Sequence, residues 1–203
     1  MIDIKRDIIL TEGTEMEIIP VSGTPSLTTA LVGRASKQFD SSVSLETHRR
    51  GQFLPEAAVK TGDVLRHTVA SESYLVISTL NEIIQNEVAA IVAHMFICNS
   101  AITVSGVTET LTPRGDVKKV DAVKFADLIC YSSSKSARLH QKDPGVLIEN
   151  DYTIYAPATT PISTLDKLRL TAGTTAVPLK VIDTDYITYP GLVVIEACVE
   201  TRK

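Results

Sequence analysis

The sequence predicts an all-β fold: a small β-barrel or sandwich with long loops, arranged as two similar β units in tandem. Three observations carry this. Isoleucine, valine and threonine together supply 62 of the 203 residues, and side chains branched at Cβ fit a pleated sheet better than a helix. Short apolar runs alternate with polar residues between turn-forming clusters, the period-2 pattern of half-buried strands. A faint repeat also links two parts of the chain at a nearly constant offset. Hydrophobic residues at 44% and charged residues at 22% are enough for a packed core, which excludes a disordered tail or a fibrous repeat.

Taken in order, Asp7–Leu10 and Met16–Val21 read as short strands, stopped by Gly23 and Pro25. Residues 26–60 are polar and weakly patterned, a long loop or arm with one strand near Thr28–Val32. Asp63–His67 and Tyr74–Ser78 flank a polar ASES turn and read as a hairpin. From Leu80 to Ile97 the apolar residues suit helical spacing, yet Ile91, Ala93, Met95 and Ile97 alternate. The repeat decides for strand over 88–97 and leaves 80–87 open between helix and strand. Two polar stretches follow, 105–120 and 132–145. Tyr152–Ala156, Asp166–Leu170, Leu179–Asp183 and Leu192–Val199 then complete the strands.

The repeat pairs Leu54-Pro55 with Ala156-Pro157, TGDVLR (61–66) with TLDKLR (164–169), YLVI (74–77) with LKVI (179–182), and VAAIVAHM (88–95) with GLVVIEAC (191–198). The resulting division is an N-terminal segment of strands and arm, 1–54, and a β body, 55–203. Within the body, halves 55–104 and 146–203 are joined by a loop-rich segment, 105–145. The expected core is Leu65, Leu75, Ile77, Ile91, Ile129, Ile154, Leu168, Val181, Val193 and Ile195.

Little in the chain advertises chemistry. Cys98, Cys130 and Cys198 each sit among apolar residues without CxxC spacing, the pattern of buried reduced thiols. His48, His67, His94 and His140 are scattered singly. There is no HExxH, GxSxG, GxxxxGK[ST] or GxGxxG, so no catalytic, cofactor-binding or metal site is expected and the chain reads as no enzyme. The net charge of −4 and a pI near 5.6 give no global basic footprint for duplex nucleic acid. No apolar run reaches the ~18 residues that span a bilayer, and MIDIKRDIIL lacks the pattern of a signal peptide. The cytosol is therefore the expected folding compartment.

One segment departs from the acidic average. Residues 112–142 carry Arg114, Lys118, Lys119, Lys124, Lys135, Arg138 and Lys142 against Asp116, Asp121 and Asp127, leaving the segment basic on an acidic body. Such a surface suits an acidic partner, a second copy or nucleic acid, and its bland counterpart is a solvated loop face. Aromatic residues that would stack single-stranded bases are not interleaved. Arg114-Gly115-Asp116 is read as a Gly-containing turn after Pro113.

The run DPGVLIENDYTIYAPATTPISTLDKLRL followed by LKVIDTDYITYPGLVVIEACVETR resembles the head-completion proteins of tailed bacteriophages, variously termed stopper, head-closure or head–tail connector proteins. The order carries the likeness: a strand ending in Tyr and Pro, a polar loop, an Asp-x-Leu/Ile strand, a V-x-x-I/V-D strand, and a last strand after a Pro-Gly pair, here Pro190-Gly191. TGDVLR, YLVI and Cys98-Asn99 extend it over roughly 55–203, and residues 1–54 match no part of that family. The resemblance implies a virion protein of the phage neck, assembled in host cytoplasm. It implies a twelve-fold or six-fold homo-oligomeric ring, with a portal or adaptor protein on one side and a tail tube or tail-completion protein on the other. Packaged double-stranded DNA would pass through its channel. Loops 107–124 and 132–142, with the seven basic residues above, are its candidates for the channel or a neighbouring subunit. A tail-completion or other neck role, and a carbohydrate- or receptor-binding β-sandwich, are the alternatives. The absence of Trp weighs against a sugar-stacking platform.

Overall fold

The computed structural model describes residues 2–35, 45–111, 116–134, 151–159 and 161–200. Helix α1 (Ile2–Glu12) precedes β1 (Thr14–Ile19), β2 (Ser26–Arg34), β3 (His48–Phe53), β4 (Val64–His67), β5 (Ser73–Ile84) and β6 (Glu87–Ile97). Then come β7 (Ser100–Leu111), β8 (Val117–Ser134), β9 (Tyr152–Pro157), β10 (Lys167–Ala172), β11 (Thr175–Asp185) and β12 (Leu192–Val199). The first six strands close into an antiparallel barrel in the order β1-β2-β3-β6-β5-β4, and the last six into a second, β7-β8-β9-β12-β11-β10. Numbered within its own barrel, each follows the same order, 1-2-3-6-5-4. The fold is all-β and built of two units.

The repeat read from sequence falls on equivalent strands. Leu54-Pro55 and Ala156-Pro157 mark the end of the third strand, and the two D-x-L-R segments form the fourth. YLVI and LKVI lie in the fifth, VAAIVAHM and GLVVIEAC in the sixth. The compact units are Met1–Cys98 with 157–159 and 187–192, and Asn99–Ala156 with 160–186 and 193–203. The expected boundary after residue 54 thus lies inside the first barrel, whose β1, β2 and β3 come from the segment read as strands and arm.

Each barrel has its own core. Met16, Phe53, Leu65, Val76, Ala93 and Met95 fill the first; Ile102, Val104, Ile154, Leu168, Val181 and Ile195 fill the second. Nine of the ten expected core residues are buried, and Ile129 is half-buried. Residues 88–97 are strand, as expected, and 80–84 continue β5. The intervening turn is Gln85-Asn86, whose φ values of 51° and 69° match the left-handed pair of a two-residue hairpin turn.

Residues 26–60, read as a loop or arm with at most one strand, hold two, β2 and β3, and two further local readings are corrected. Asp7–Leu10 is helix rather than strand. In α1, Ile9 is buried, Lys5 pairs with Glu82 on β5, and Arg6 reaches Glu56 at 2.6 Å. Packing of one helical face overrides the strand preference of adjacent isoleucines. Gly13 ends the helix, its N–H bonding the Ile9 carbonyl at 3.0 Å. A Cβ there would lie 2.2 Å from that oxygen, so only glycine fits. The second correction concerns 105–120, read as a polar loop: apart from 112–115, outside the described residues, it is almost entirely strand, and polar residues alternate there because the strands are solvent-exposed.

Those strands form a ribbon. Among the described residues, β10 pairs with β7 through Ala101–Ser105, and β9 pairs with β8 through Tyr131–Ser134. Beyond Ser105, β7 runs on to Leu111 in register with β8, ending at Leu111 opposite Val117. Register shifts near Lys124 and near Asp127, which has φ 52°, mark where β8 leaves the barrel; bulges of this kind bend a strand and re-aim side chains.

Truncating Met95 or Ile195, both fully buried, to Ala should cost about 2–5 kcal/mol in urea unfolding. A loss below about 1 kcal/mol at either position would contradict the packing described.

Candidate functional site

The seven basic residues do not form one surface among the described residues. Arg114, Lys135, Arg138 and Lys142 lie outside them, and Lys118 is placed in β8 by its backbone alone. Lys119 is exposed on the ribbon, in register with Glu109 on β7. Lys124 is committed to its own barrel: its ammonium contacts both oxygens of Asp166, at 2.7 and 2.9 Å. It crosses over Gly106, where a Cβ would lie 2.3 Å from the lysine Cε. A bulge, a glycine and a buried carboxylate thus hold one of the expected phosphate-facing charges in place. Asp121 of the ribbon likewise holds Lys167 of β10 at 2.9 Å, which raises the Lys167 pKa.

Asp166 has a twin in the first barrel. Asp63 and Asp166 open β4 and β10, and each is only 4% exposed. Each bonds reciprocally with the residue three before it. The Lys60 N–H donates to Asp63 Oδ2 at 2.8 Å while the Asp63 N–H donates to the Lys60 carbonyl at 3.2 Å. Ser163 and Asp166 repeat this at 2.9 and 3.0 Å. The carboxylate thereby satisfies a backbone donor in a turn that turns into the barrel. Asp63 also accepts the Val21 N–H at 3.3 Å. Burial raises its pKa, against the opposing pull of these two backbone bonds. Sequence reading noted the D-x-L-R pattern as a strand opening; the reciprocal bond to residue i−3 carries no sequence signature beyond the aspartate itself.

The remaining candidates have structural roles. His67 Nδ1 accepts the Val69 and Ala70 N–H groups at 3.0 and 2.8 Å, closing the β4–β5 turn. Buried His48 stands edge-on to Phe96 with centroids 4.5 Å apart. Burial, then the charges of Arg50 and His48, push the pKa of His94 down. Burial raises the Cys130 thiol to about 12, well above the range of a reactive thiolate. Cys98, Cys130 and Cys198 are free, the first and last half-buried rather than buried as expected. Among the described residues no group of three His, Cys, Asp or Glu could hold a metal ion, and no helix is long and apolar enough to cross a membrane. A groove of about 590 Å³ beside Ile18, Pro20, Lys60 and Asp63 offers no nucleophile–base pair, since both Asp63 oxygens already accept backbone N–H groups.

What sequence reading missed is the exposed valines of the ribbon. Val107, Val117, Val120 and Val123 are 51%, 59%, 40% and 62% exposed. In VKKVDAVK (117–124) the valines recur every third residue among charges, which fits neither strand nor helix periodicity.

The sign of the Asp63 shift sets a pH dependence. A carboxyl whose folded pKa lies above its unfolded value contributes stability that is fully present below the unfolded pKa and is lost as pH rises through the folded one. Asp63→Asn removes this titration and sets an amide N–H against a backbone N–H, costing about 1–3 kcal/mol. The stability gap between parent and variant, read from urea midpoints, should be widest in acid and narrow towards neutrality. A gap that widens towards neutrality would mean that the two backbone bonds outweigh burial. The chain matches no protein-family model and no curated protein.

Proposed function

We propose that this chain is a structural protein of the tailed-phage neck. In this reading copies assemble into a ring between portal and tail that closes the DNA-filled head and docks the tail. The observation that carries the reading is the β7–β8 ribbon. Two closed barrels leave few free strand edges, yet this ribbon extends past its barrel and presents valines to solvent on a two-stranded element that is marginal alone. An element so built gains its stability from a neighbour. The likeness of 55–203 to head-completion proteins supplies the setting, and closing a channel is steric and electrostatic work that needs no catalytic group.

Negatively stained particles made without this protein should show heads that package DNA and then lose it, with tails detached. Full, tailed, infectious particles would overturn the reading. Within the assembled particle, reversing the charges of Lys118, Lys119, Arg138 and Lys142 should leave folding nearly unchanged, as expected of charges that serve a partner and not the fold. DNA retention should fall. Normal retention by this variant would confine these residues to solvated surface.

A further inference from the structure

The two barrels differ at one strand edge, and the difference is independent of the neck reading. Thr14 opposite Ala30 opens the β1–β2 ladder as Ser100 opposite Cys130 opens the β7–β8 ladder. Ala30 and Cys130 are both fully buried. Gly13 therefore holds the place of Asn99, and Val32 that of Ser132. In the second barrel this edge is sealed. The Asn99 N–H donates to the Cys130 carbonyl at 3.3 Å. Its side chain then acts as a strand would: Oδ1 accepts the Ser132 N–H at 2.9 Å, and Nδ2 donates to the Ser132 carbonyl at 2.8 Å. In the first barrel glycine offers no side chain, and its N–H is taken by the Ile9 carbonyl. The Ala30 carbonyl lies on this side of β2, 3.2 Å from where a Gly13 Cβ would stand. Backbone groups of an antiparallel strand point to its two sides alternately, so those of Val32 and Arg34 point the same way as those of Ala30. β3 pairs with Leu31–Arg34 on the other side. Among the described residues, no strand continues the near side beyond Ala30. A groove of about 360 Å³ lies there instead, its lining including Glu12, Thr14, Val32, Gly33, Arg34 and Arg50.

We propose that this edge takes an extended, acidic segment of a partner protein as an added strand, joined to β2 through the backbone of Val32 and Arg34. The sign of charge follows from the lining. Arg34 and Arg50 are both exposed, and among the described residues neither has an ion pair. Glu12 is the one acid set against them among the described lining residues. Arg50 stands opposite Gly33, and nothing lies within 4 Å of where a Gly33 Cβ would be. A carboxylate on the added strand beside Gly33 can therefore meet Arg50 across the glycine. The second barrel already holds such a bridge: Lys124 on β8 passes over Gly106 on β7 to Asp166. The residues flanking that carboxylate fall on the face of Val32, which packs against the first core, and apolar side chains suit them.

The probes are two end-blocked, dye-labelled peptides, STVEVTS and STVKVTS, titrated with the full chain and read by fluorescence anisotropy. The glutamate peptide should bind at least about tenfold more tightly, since the lysine peptide exchanges a charge-assisted bond for repulsion. Arg50→Glu should reverse that order. Gly33→Val meets no clash, so it should fold, and it should remove the discrimination by standing between the two charges. Val32→Pro deletes a backbone donor aimed into the groove and none from the β3 ladder. It should abolish binding of both peptides while thermal unfolding of the chain is retained. Should Val32→Pro fail to fold, Arg50→Glu and Gly33→Val decide the matter, since both change exposed positions. Equal binding of the two peptides by the parent, or binding of neither, overturns the proposal. So does an order of affinity that Arg50→Glu leaves unchanged, or a folded Val32→Pro protein that binds as the parent does.

Discussion

Everything in each barrel depends on the ladder that joins its first strand to its fourth. Without β1 against β4, and β7 against β10, the six strands are an open sheet with two free edges. With them, the inward faces enclose a core. The ladders set apolar pairs at the seam, Ile18 opposite Leu65 and Val104 opposite Leu168. Immediately before each seam stands a buried aspartate whose reciprocal bonds with the residue three before it direct the fourth strand into place. A carboxylate buried there is costly unless its oxygens are occupied. Asp63 answers this with two backbone N–H donors and Asp166 with one backbone donor and the Lys124 ammonium. The same motif is thus satisfied by different means in the two halves.

The strands and their class were legible because burial imposes a period of two. Residues 74–77, 88–97, 152–156, 179–183 and 192–199 could be read as strand from alternation and β-branched content. The shared D-x-L-R pattern foretold that two parts of the chain have the same topology. β2 and β3 of the first barrel and β7 and β8 of the second were harder. β2 and β3 lie in polar sequence because their outward residues are Thr, Arg and Gln, and their inward residues include Ala30 and Gly51, small side chains that carry little hydrophobic signal. Helix α1 was hidden by isoleucines that favour strand locally; its state is decided by the burial of Ile9 and by Lys5 and Arg6 meeting residues 50 or more positions away.

The site was less legible still, since sequence shows the number of charges but not their partners. Lys124 and Asp166 lie 42 positions apart, and only the fold brings the pair together across Gly106. The described part of a basic segment counted along the chain became, in space, a ribbon that carries charges of both signs and exposed valines. Hydrophobicity in such a strand is masked because each valine is flanked by charge, and neither face of a two-stranded ribbon is buried within the subunit.

The identical strand order of the two barrels has a consequence for how the chain folds. The seams are interchangeable in chemistry: β1 laid against β10 would set Ile18 opposite Leu168 and Glu17 opposite Arg169, as acceptable as Ile18 opposite Leu65 and Glu17 opposite Arg66. Side-chain matching therefore does not tell the first strand which fourth strand is its own. Chain connectivity does, but weakly. Closing a loop of roughly 50 residues rather than roughly 150 favours the correct seam by only about 1 kcal/mol. Synthesis from the N-terminus adds a second safeguard, for β4 emerges and can close on β1 before β10 exists. Refolding of the whole chain from denaturant lacks that head start, and strand exchange between halves is the misassembly to which this architecture is most exposed.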